Sequence, residues 1–250
     1  VVTGVQTCAL PICGQILSRA LAKDNYLPAF ALDHTVHVMS NSYYDAPLSE
    51  DLNQYPVIII SHGWRGFRTL HTDFAEELAS QGYIVVSIDH TYGSVATVFD
   101  KNDVAYLNLD ALPPRDTNPD FLSDANRLVY TYSGDIISTM DYLEVLNEGS
   151  SIFNHRLDLD TIGLLGHSTG GGAGVATALI DDRVGAVFGL DSWVEPIGQT
   201  DLSQGLSIPS IFLRSGSWET GENNEYLYHL IENSDEPSSL YQINGTTHLD

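Results

Sequence analysis

Hydrophobic and polar positions along the chain follow two periods, and their order predicts a layered α/β protein. Residues 57–60 are an unbroken β-branched run, typical of a strand buried on both faces of a parallel sheet. Similar apolar runs predict further strands at residues 83–89, 160–165, 184–190, 208–214 and 239–243. Helical spacing predicts helices at residues 15–23, 74–80, 128–147, 171–179 and 225–231. Strands that alternate with helices predict one domain with a mostly parallel central sheet and helices on both faces.

Two stretches of the chain lack a clear period. Residues 26–44 are irregular and contain His34 and His37, which fit ordinary core or surface positions. Residues 91–122 are predicted to be a loop, because their prolines break any helix. Within the helix predicted at residues 128–147, the buried stripe is expected to be Leu128, Ile136, Met140, Leu143 and Leu146.

Composition and charge restrict the partners of this protein. The chain has 250 residues, 43% of them hydrophobic, which suffices for one α/β domain with a large core. Apolar runs stay well short of the roughly 20 residues of a membrane span. Ten basic residues face 33 acidic ones, for a net charge of −23. Such a surface repels phosphate backbones, so we expect no nucleic-acid partner and no strong binding to anionic membranes.

The first 13 residues, VVTGVQTCALPIC, differ in character from the rest of the chain. They contain both cysteines, Cys8 and Cys13, at a spacing that fits no common zinc or redox motif. The string resembles translated sequencing-adapter read-through. We therefore predict a non-native segment at residues 1–13 and a domain over residues 14–250. No signal peptide is visible, and the compartment stays open, with secretion favoured.

The stretch Gly166-His167-Ser168-Thr169-Gly170 matches the pattern G-x-S-x-G between a predicted strand and a predicted helix. A serine on so tight a strand-to-helix turn is displayed outward, and the glycines leave room for the turn. In this context the motif predicts a serine hydrolase with Ser168 as its nucleophile. The alternative is a glycine-rich loop that only packs a helix closely.

A serine nucleophile needs a histidine base, and in hydrolases with this turn the base follows the serine and the acid in the chain. Two histidines follow Ser168. His229 lies inside a predicted helix, whereas His248 lies in a loop just past the last predicted strand. Because catalytic groups gather at the carboxyl ends of parallel strands, we predict His248 as the base.

The acid partner should lie between the nucleophile and the base. Asp191 ends the predicted strand at residues 184–190 and is the preferred candidate. Glu195 and Glu219 are the alternatives. Three other acids in this interval, Asp181, Asp182 and Asp201, fit helix-end or surface positions.

An oxyanion intermediate needs two backbone N–H donors. One is predicted at Thr169, directly after the nucleophile, and the other at Trp64, in the loop Ser61-His62-Gly63-Trp64 after an early strand. His62 is expected to shape this loop, and His167 is expected to be structural because it is too close in sequence to serve Ser168 as base. The side chains expected to line the substrate pocket are Phe67, His90 and Trp193.

Spacing typical of metal ligands or of a phosphate-binding loop does not occur in the sequence. Its histidines and acids form no convincing metal set. The glycine-rich stretch at residues 170–174 lacks the lysine of a P-loop. We therefore expect neither a metal nor a cofactor.

Taken together, these motifs resemble platelet-activating-factor acetylhydrolases of the plasma, lipoprotein-associated type and their bacterial relatives. The resemblance extends from about residue 40 to the end and includes Gly189-Leu190-Asp191-Ser192-Trp193 and Gly245-Thr246-Thr247-His248. It implies an α/β-hydrolase fold, the triad Ser168, Asp191 and His248, and an oxyanion hole at Trp64 and Thr169. It also implies a C-terminal helix, and since the chain stops at Asp250 we expect the domain to be truncated at both ends.

The resemblance implies calcium-independent hydrolysis of a short or oxidised sn-2 acyl ester of a phospholipid. We accordingly expect a carboxylic-ester hydrolase that forms an acyl-enzyme on short acyl esters or such phospholipids. The alternatives are a cutinase-like polyester hydrolase, a relative of dienelactone hydrolases or peptidases, and a catalytically inactive α/β-hydrolase that serves as a binding module. The oligomeric state is left open.

Overall fold

A six-stranded parallel sheet forms the centre of the protein, whose computed structural model describes residues 11–43, 45–149, 152–218 and 221–249. In chain order the described strands are β1 (Tyr55–Ser61), β2 (Ile84–Ile88), β3 (Ala96–Asp100), β4 (Asp103–Tyr106), β5 (Leu157–His167), β6 (Val184–Leu190), β7 (Ser210–Ser215) and β8 (Ser238–Ile243). The sheet has the order β2-β1-β5-β6-β7-β8, and all of its neighbouring strands are parallel. This confirms the predicted sheet.

Helices cover the two faces of the sheet unequally. The described α-helices are α1 (Pro11–Asp24), α2 (Thr72–Ser80), α3 (Phe121–Gly149), α4 (Thr169–Ala178), α5 (Gln199–Leu202) and α6 (Glu222–Asn233). One face packs against α3, α4 and α6 in the main core, and the other packs against α2 in a smaller core around Ile60 and Leu165. Over β7 and β8 this second face leaves Ile211, Tyr241 and Ile243 exposed.

The long helix α3 buries the stripe that its periodicity predicts. Leu128, Ile136, Met140 and Leu143 are buried, and Leu146 packs against the same core while partly exposed. The helix begins seven residues before the predicted start, at Phe121. Its first turns lie just past Pro119, which excludes helix before that point but not after it.

The predicted loop at residues 91–122 is wrong in part, because the segment contains the antiparallel hairpin of β3 and β4. Its strands are short, but their alternate residues pack: Ala96 and Val98 are buried against α1. A short strand with this alternation is stable only when another element covers its apolar side, and here α1 does so.

The N-terminal part of the chain contributes to the same contact. Cys13 is buried and packs with Ala96 and Val98, and α1 continues to Asp24. Residues 1–10, which form most of the segment predicted to be non-native, lie outside the described residues, so that prediction stays open.

The carboxyl ends of the central strands meet at one edge of the sheet. Ser61 of β1 is in register with Gly166 of β5, and His167 is in register with Leu190 of β6. Leu190 is in turn opposite Leu213 of β7. The loops that leave these strands therefore lie side by side, which brings distant parts of the sequence to a single site.

Candidate active site

Ser168 lies on the tight turn between β5 and α4. Its backbone has φ 53° and ψ −118°, a region that side-chain-bearing residues rarely adopt. Its N–H donates to Leu190 O at 2.9 Å, and its carbonyl accepts from Gly172 N at 3.0 Å and from Trp193 N at 2.9 Å. These bonds hold the strained turn in place. Its glycines are required for close approach, since a Cβ on Gly166 would meet the backbone of Gly170.

His248 bridges the Ser168 hydroxyl and a buried carboxylate. Its Nε2 lies 3.0 Å from Ser168 Oγ, and its Nδ1 lies 2.9 Å from Asp191 Oδ2. The imidazole ring also stacks on Trp218, with centroids 4.3 Å apart and planes 4° apart. The structure thus brings together the three side chains predicted as nucleophile, base and acid, and Ser168 can pass its proton directly to His248.

Asp191 accepts two further hydrogen bonds from Ser215, from its N–H at 2.6 Å and its Oγ–H at 2.6 Å. Burial on its own raises the pKa of this carboxyl, but the hydrogen bonds from His248 and Ser215 outweigh burial and lower the pKa below its ordinary value. Asp191 therefore stays ionised and keeps the His248 Nδ1 protonated. Ser215 ends β7 at the same sheet edge, a position that could have indicated its role, whereas nothing in the sequence singles out Trp218.

The alternative acids and base lie in other contacts. His229 lies 2.8 Å from Ser203 Oγ, and Glu195 accepts from Arg115 at 2.6 Å. Asp181 pairs with Arg183, Asp182 is exposed, and Asp201 accepts from Tyr130. Glu219 lies outside the described residues. Of the candidates that the structure describes, Asp191 is the acid that contacts His248.

The loop between β1 and α2 packs against Ser168. A Cβ on Gly63 would lie 2.9 Å from Ser168 Cβ, so the backbone here comes close to the Ser168 side chain. The carbonyl of Gly63 accepts from His62 Nδ1 at 2.7 Å and from Gly66 N at 2.9 Å. Because a peptide is planar and trans, the N–H of Trp64 points the opposite way, toward Thr169 Oγ1 at 3.3 Å. The two predicted oxyanion donors are therefore neighbours in space.

A network of buried histidines lies beneath this loop. His90 is fully buried, with Nε2 2.8 Å from Ser61 Oγ, Nδ1 2.8 Å from Asp135 Oδ2, and its ring stacked on Tyr132. The His90 side chain, predicted to line the pocket, is only 1% exposed and contacts this network instead. Its partner Asp135 lies on α3, 45 residues further along the chain, which no local pattern indicates. Burial lowers the pKa of His62 and of His90, which keeps both rings neutral.

Phe67 and Trp193, the other predicted pocket residues, are half-buried. The Trp193 indole donates to Glu195 Oε2 at 3.2 Å and packs against the ring of Phe121, with centroids 5.9 Å apart. Because the Trp193 N–H also donates to the carbonyl of Ser168, this residue lies beside the nucleophile. Their role in holding an acyl chain stays a prediction.

In the part of the chain that the structure describes, histidines, cysteines and acids form no group of three or more that could hold a metal ion. Among the described helices, none combines the length and apolarity that crossing a membrane requires.

The sequence profile of the family described as platelet-activating factor acetylhydrolase, isoform II, matches residues 18–250. The chain belongs to this family. A platelet-activating factor acetylhydrolase of Canis lupus familiaris is 26% identical over 231 residues, which cover 84% of this chain and 51% of the relative. A probable 1-alkyl-2-acetylglycerophosphocholine esterase of Arthroderma benhamiae is 26% identical over 73% of this chain and 43% of its own length. The chain spans about half of the length of these family relatives.

Similarity extends to other esterases. Cutinase est1 of Thermobifida alba is 24% identical over 79% of this chain and 54% of its own length. The solved structure of a ferulic acid esterase from Streptomyces cinnamoneus superimposes with a TM-score of 0.72 at 22% identity, over 99% of this chain and 65% of that one. At this identity the likeness concerns the fold, and the α/β-hydrolase fold implied by the resemblance is confirmed.

Proposed function

We propose that this protein hydrolyses carboxylic esters through an acyl-enzyme, with Ser168 as nucleophile, His248 as base and Asp191 as acid. The observation that carries the proposal is the continuous hydrogen-bonded chain from Ser168 Oγ through the His248 imidazole to Asp191 Oδ2, at 3.0 and 2.9 Å. Each contact lies in the range in which a proton can pass or be held. The strained turn that displays Ser168 supports the same role.

The proposed reaction has an acylation half and a deacylation half, and His248 transfers the proton in both. His248 Nε2 takes the proton of Ser168 as its oxygen attacks the ester carbonyl, and the imidazolium then protonates the departing alcohol. Asp191 stabilises the imidazolium without taking its proton. His248 then deprotonates a water that attacks the acyl-enzyme, and the imidazolium returns the proton to Ser168 Oγ as the carboxylic acid is released.

The negative charge on the carbonyl oxygen is proposed to be held by the N–H groups of Trp64 and Thr169. Close packing of Gly63, the residue before Trp64, against Ser168 supports this assignment. In the free protein the Trp64 N–H donates to Thr169 Oγ1 at 3.3 Å, a long bond that an oxyanion can replace.

The substrate is proposed to be an ester with a short acyl group, either a small molecule or the sn-2 position of a phospholipid. The names of the family relatives support this class, since one is a probable 1-alkyl-2-acetylglycerophosphocholine esterase. The net charge of −23 favours a zwitterionic or neutral substrate over an anionic lipid surface.

The test is the hydrolysis of p-nitrophenyl acetate and butyrate by wild type and by Ser168→Ala. We expect Ser168→Ala to lower kcat by at least about 10³-fold, while Ser203→Ala, an exposed serine, serves as the matched control. A fluorophosphonate probe should label the wild type at Ser168. Near-normal turnover by Ser168→Ala would contradict the proposal, and a folded protein that the probe does not label would favour an inactive binding module.

A polyester substrate is the second candidate, and the similarity to Cutinase est1 favours it. The two candidates share the same proposed machinery and differ in the acyl group presented to it. Release of soluble product from a polyester film, compared with hydrolysis of short-chain phosphatidylcholine at matched enzyme concentration, distinguishes them.

A further inference from the structure

His167 is a buried histidine that the proposed reaction does not use. It directly precedes the nucleophile, and only 8% of its surface is exposed. Its Nε2 lies 2.8 Å from the backbone carbonyl of His248. Because a carbonyl can only accept, Nε2 carries the hydrogen, and the bond runs from His167 to the backbone of the proposed base.

The backbone of His248 lies outside regular secondary structure. β8 ends at Ile243, and the chain turns at Gly245, with φ 78°, before it reaches His248. A residue in such a loop lacks the ladder of hydrogen bonds that positions a strand residue. The hydrogen bond from His167 links this loop to the turn that carries Ser168. The separation of these two backbone segments sets the distance from His248 Nε2 to Ser168 Oγ.

The two imidazoles are also in contact through their rings. Their centroids lie 4.7 Å apart, with planes inclined by 35°. On its other side, the Nδ1 of His167 lies 3.1 Å from the position that a Cβ on Gly63 would take. Because Gly63 has no side chain, the His167 ring fits between the loop at residues 61–64 and the loop that carries His248.

We propose that His167 is a positioning residue, which holds His248 at reaction distance from Ser168 through its N–H bond to the His248 carbonyl. The inference rests on the proposed function and deepens it, since it assigns a role to the residue at the second position of the G-x-S-x-G motif. If His167 carried its proton on Nδ1, or were replaced by a side chain of equal size without a donor, the loop that carries His248 would lose this hydrogen bond.

The test compares His167→Leu, which fills the space without a donor, with His167→Gln, whose side-chain amide can donate to the same carbonyl. We expect His167→Leu to lower kcat about 10- to 100-fold with KM changed less than about threefold, because a displaced base slows the chemistry and not the binding. We expect His167→Gln to recover most of that loss. Equal loss in the two variants would overturn the assignment of the hydrogen bond.

A second measurement separates positioning from a general effect on the fold. In a His248→Ala background the positioned imidazole is absent, so adding His167→Leu should leave the residual rate unchanged. If His167→Leu lowers that residual rate by the same factor as it lowers the wild-type rate, His167 acts elsewhere and the proposal fails. Absence of fluorophosphonate labelling in the wild type would instead contradict the proposed function, and this readout does not depend on His167.

Discussion

Replacing His167 by glutamine should weaken the dependence of folding stability on pH by a predictable amount. Burial, with a smaller contribution from the nearby His248, lowers the pKa of His167 from 6.5 to about 4. An unfolded chain binds a proton at this histidine near pH 6.5, whereas the folded protein binds it only near pH 4. Above pH 6.5 His167 is neutral in both states and does not lower the free energy of unfolding. As pH falls from about 6.5 to about 4, the unfolded chain binds the proton first and the free energy of unfolding decreases.

The magnitude follows from the two titration curves. For a pKa of 6.5 in the unfolded chain and about 4 in the folded one, the free energy of unfolding drops by about 2 kcal/mol between pH 8 and pH 5. His62, His71 and His90 also have pKa values lowered by burial, so the wild type loses more than this in the same window. His167→Gln removes one of these contributions and leaves the other three.

Urea unfolding followed by tryptophan fluorescence measures this difference, since the chain has three tryptophans. The free energy of unfolding is determined at pH 8 and pH 5 for both proteins, and the change in each protein is compared. This comparison cancels the general effect of acid on a chain of net charge −23, which is common to both. Equal changes in the two proteins would show that His167 is not held neutral, and would refute the reasoning.

Three further predictions concern the site and its supports. Asp191→Asn should lower kcat by about 10³- to 10⁴-fold in steady-state ester hydrolysis, because an amide no longer selects the productive tautomer of the base; a loss below tenfold would exclude Asp191 as the acid. Gly172→Ala should destabilise by about 1–3 kcal/mol in thermal unfolding, because its Cβ would overlap a backbone carbonyl, while Gly134→Ala, in open space on α3, should be neutral or stabilising; equal effects would contradict the packing. Arg115→Ala should cost about 1–3 kcal/mol in urea unfolding, because it removes the cation paired with the buried Glu195; a cost near zero would show that the hydrogen bond from Trp193 suffices for this carboxylate.

Local signals in the sequence account for most of the sheet and for the nucleophile. Apolar β-branched runs such as the one in β1 have few alternatives to a buried parallel strand. The elbow at Ser168 is local too, since its glycines, strand and helix lie within a few residues. Short elements depend on the elements that pack against them. The hairpin of β3 and β4 packs against α1, and nothing in residues 91–122 alone indicates this contact.

The residues that support the site could not be predicted either, because they contact it from segments that are distant in the sequence. Trp218 stacks on His248, and His90 pairs with Asp135, across separations at which the sequence holds no pattern. His90 was predicted to line the pocket because it follows a strand. That position locates its backbone correctly but does not indicate where its side chain points. Whether such a residue is exposed or buried depends on the helix that packs over it, which for His90 is α3.

Burial of the histidines around the triad also explains why neutral rings serve as donors there. In the proposed reaction His248 takes the Ser168 proton and becomes a cation in a half-buried position. A lysine or arginine in the place of His167 could donate to the same carbonyl, but its fixed charge would oppose that of the imidazolium. Burial, and to a smaller extent repulsion by a charged His248, keep the pKa of His167 low. A neutral imidazole thus supplies a hydrogen bond without a charge, which is the property that a donor next to a general base requires.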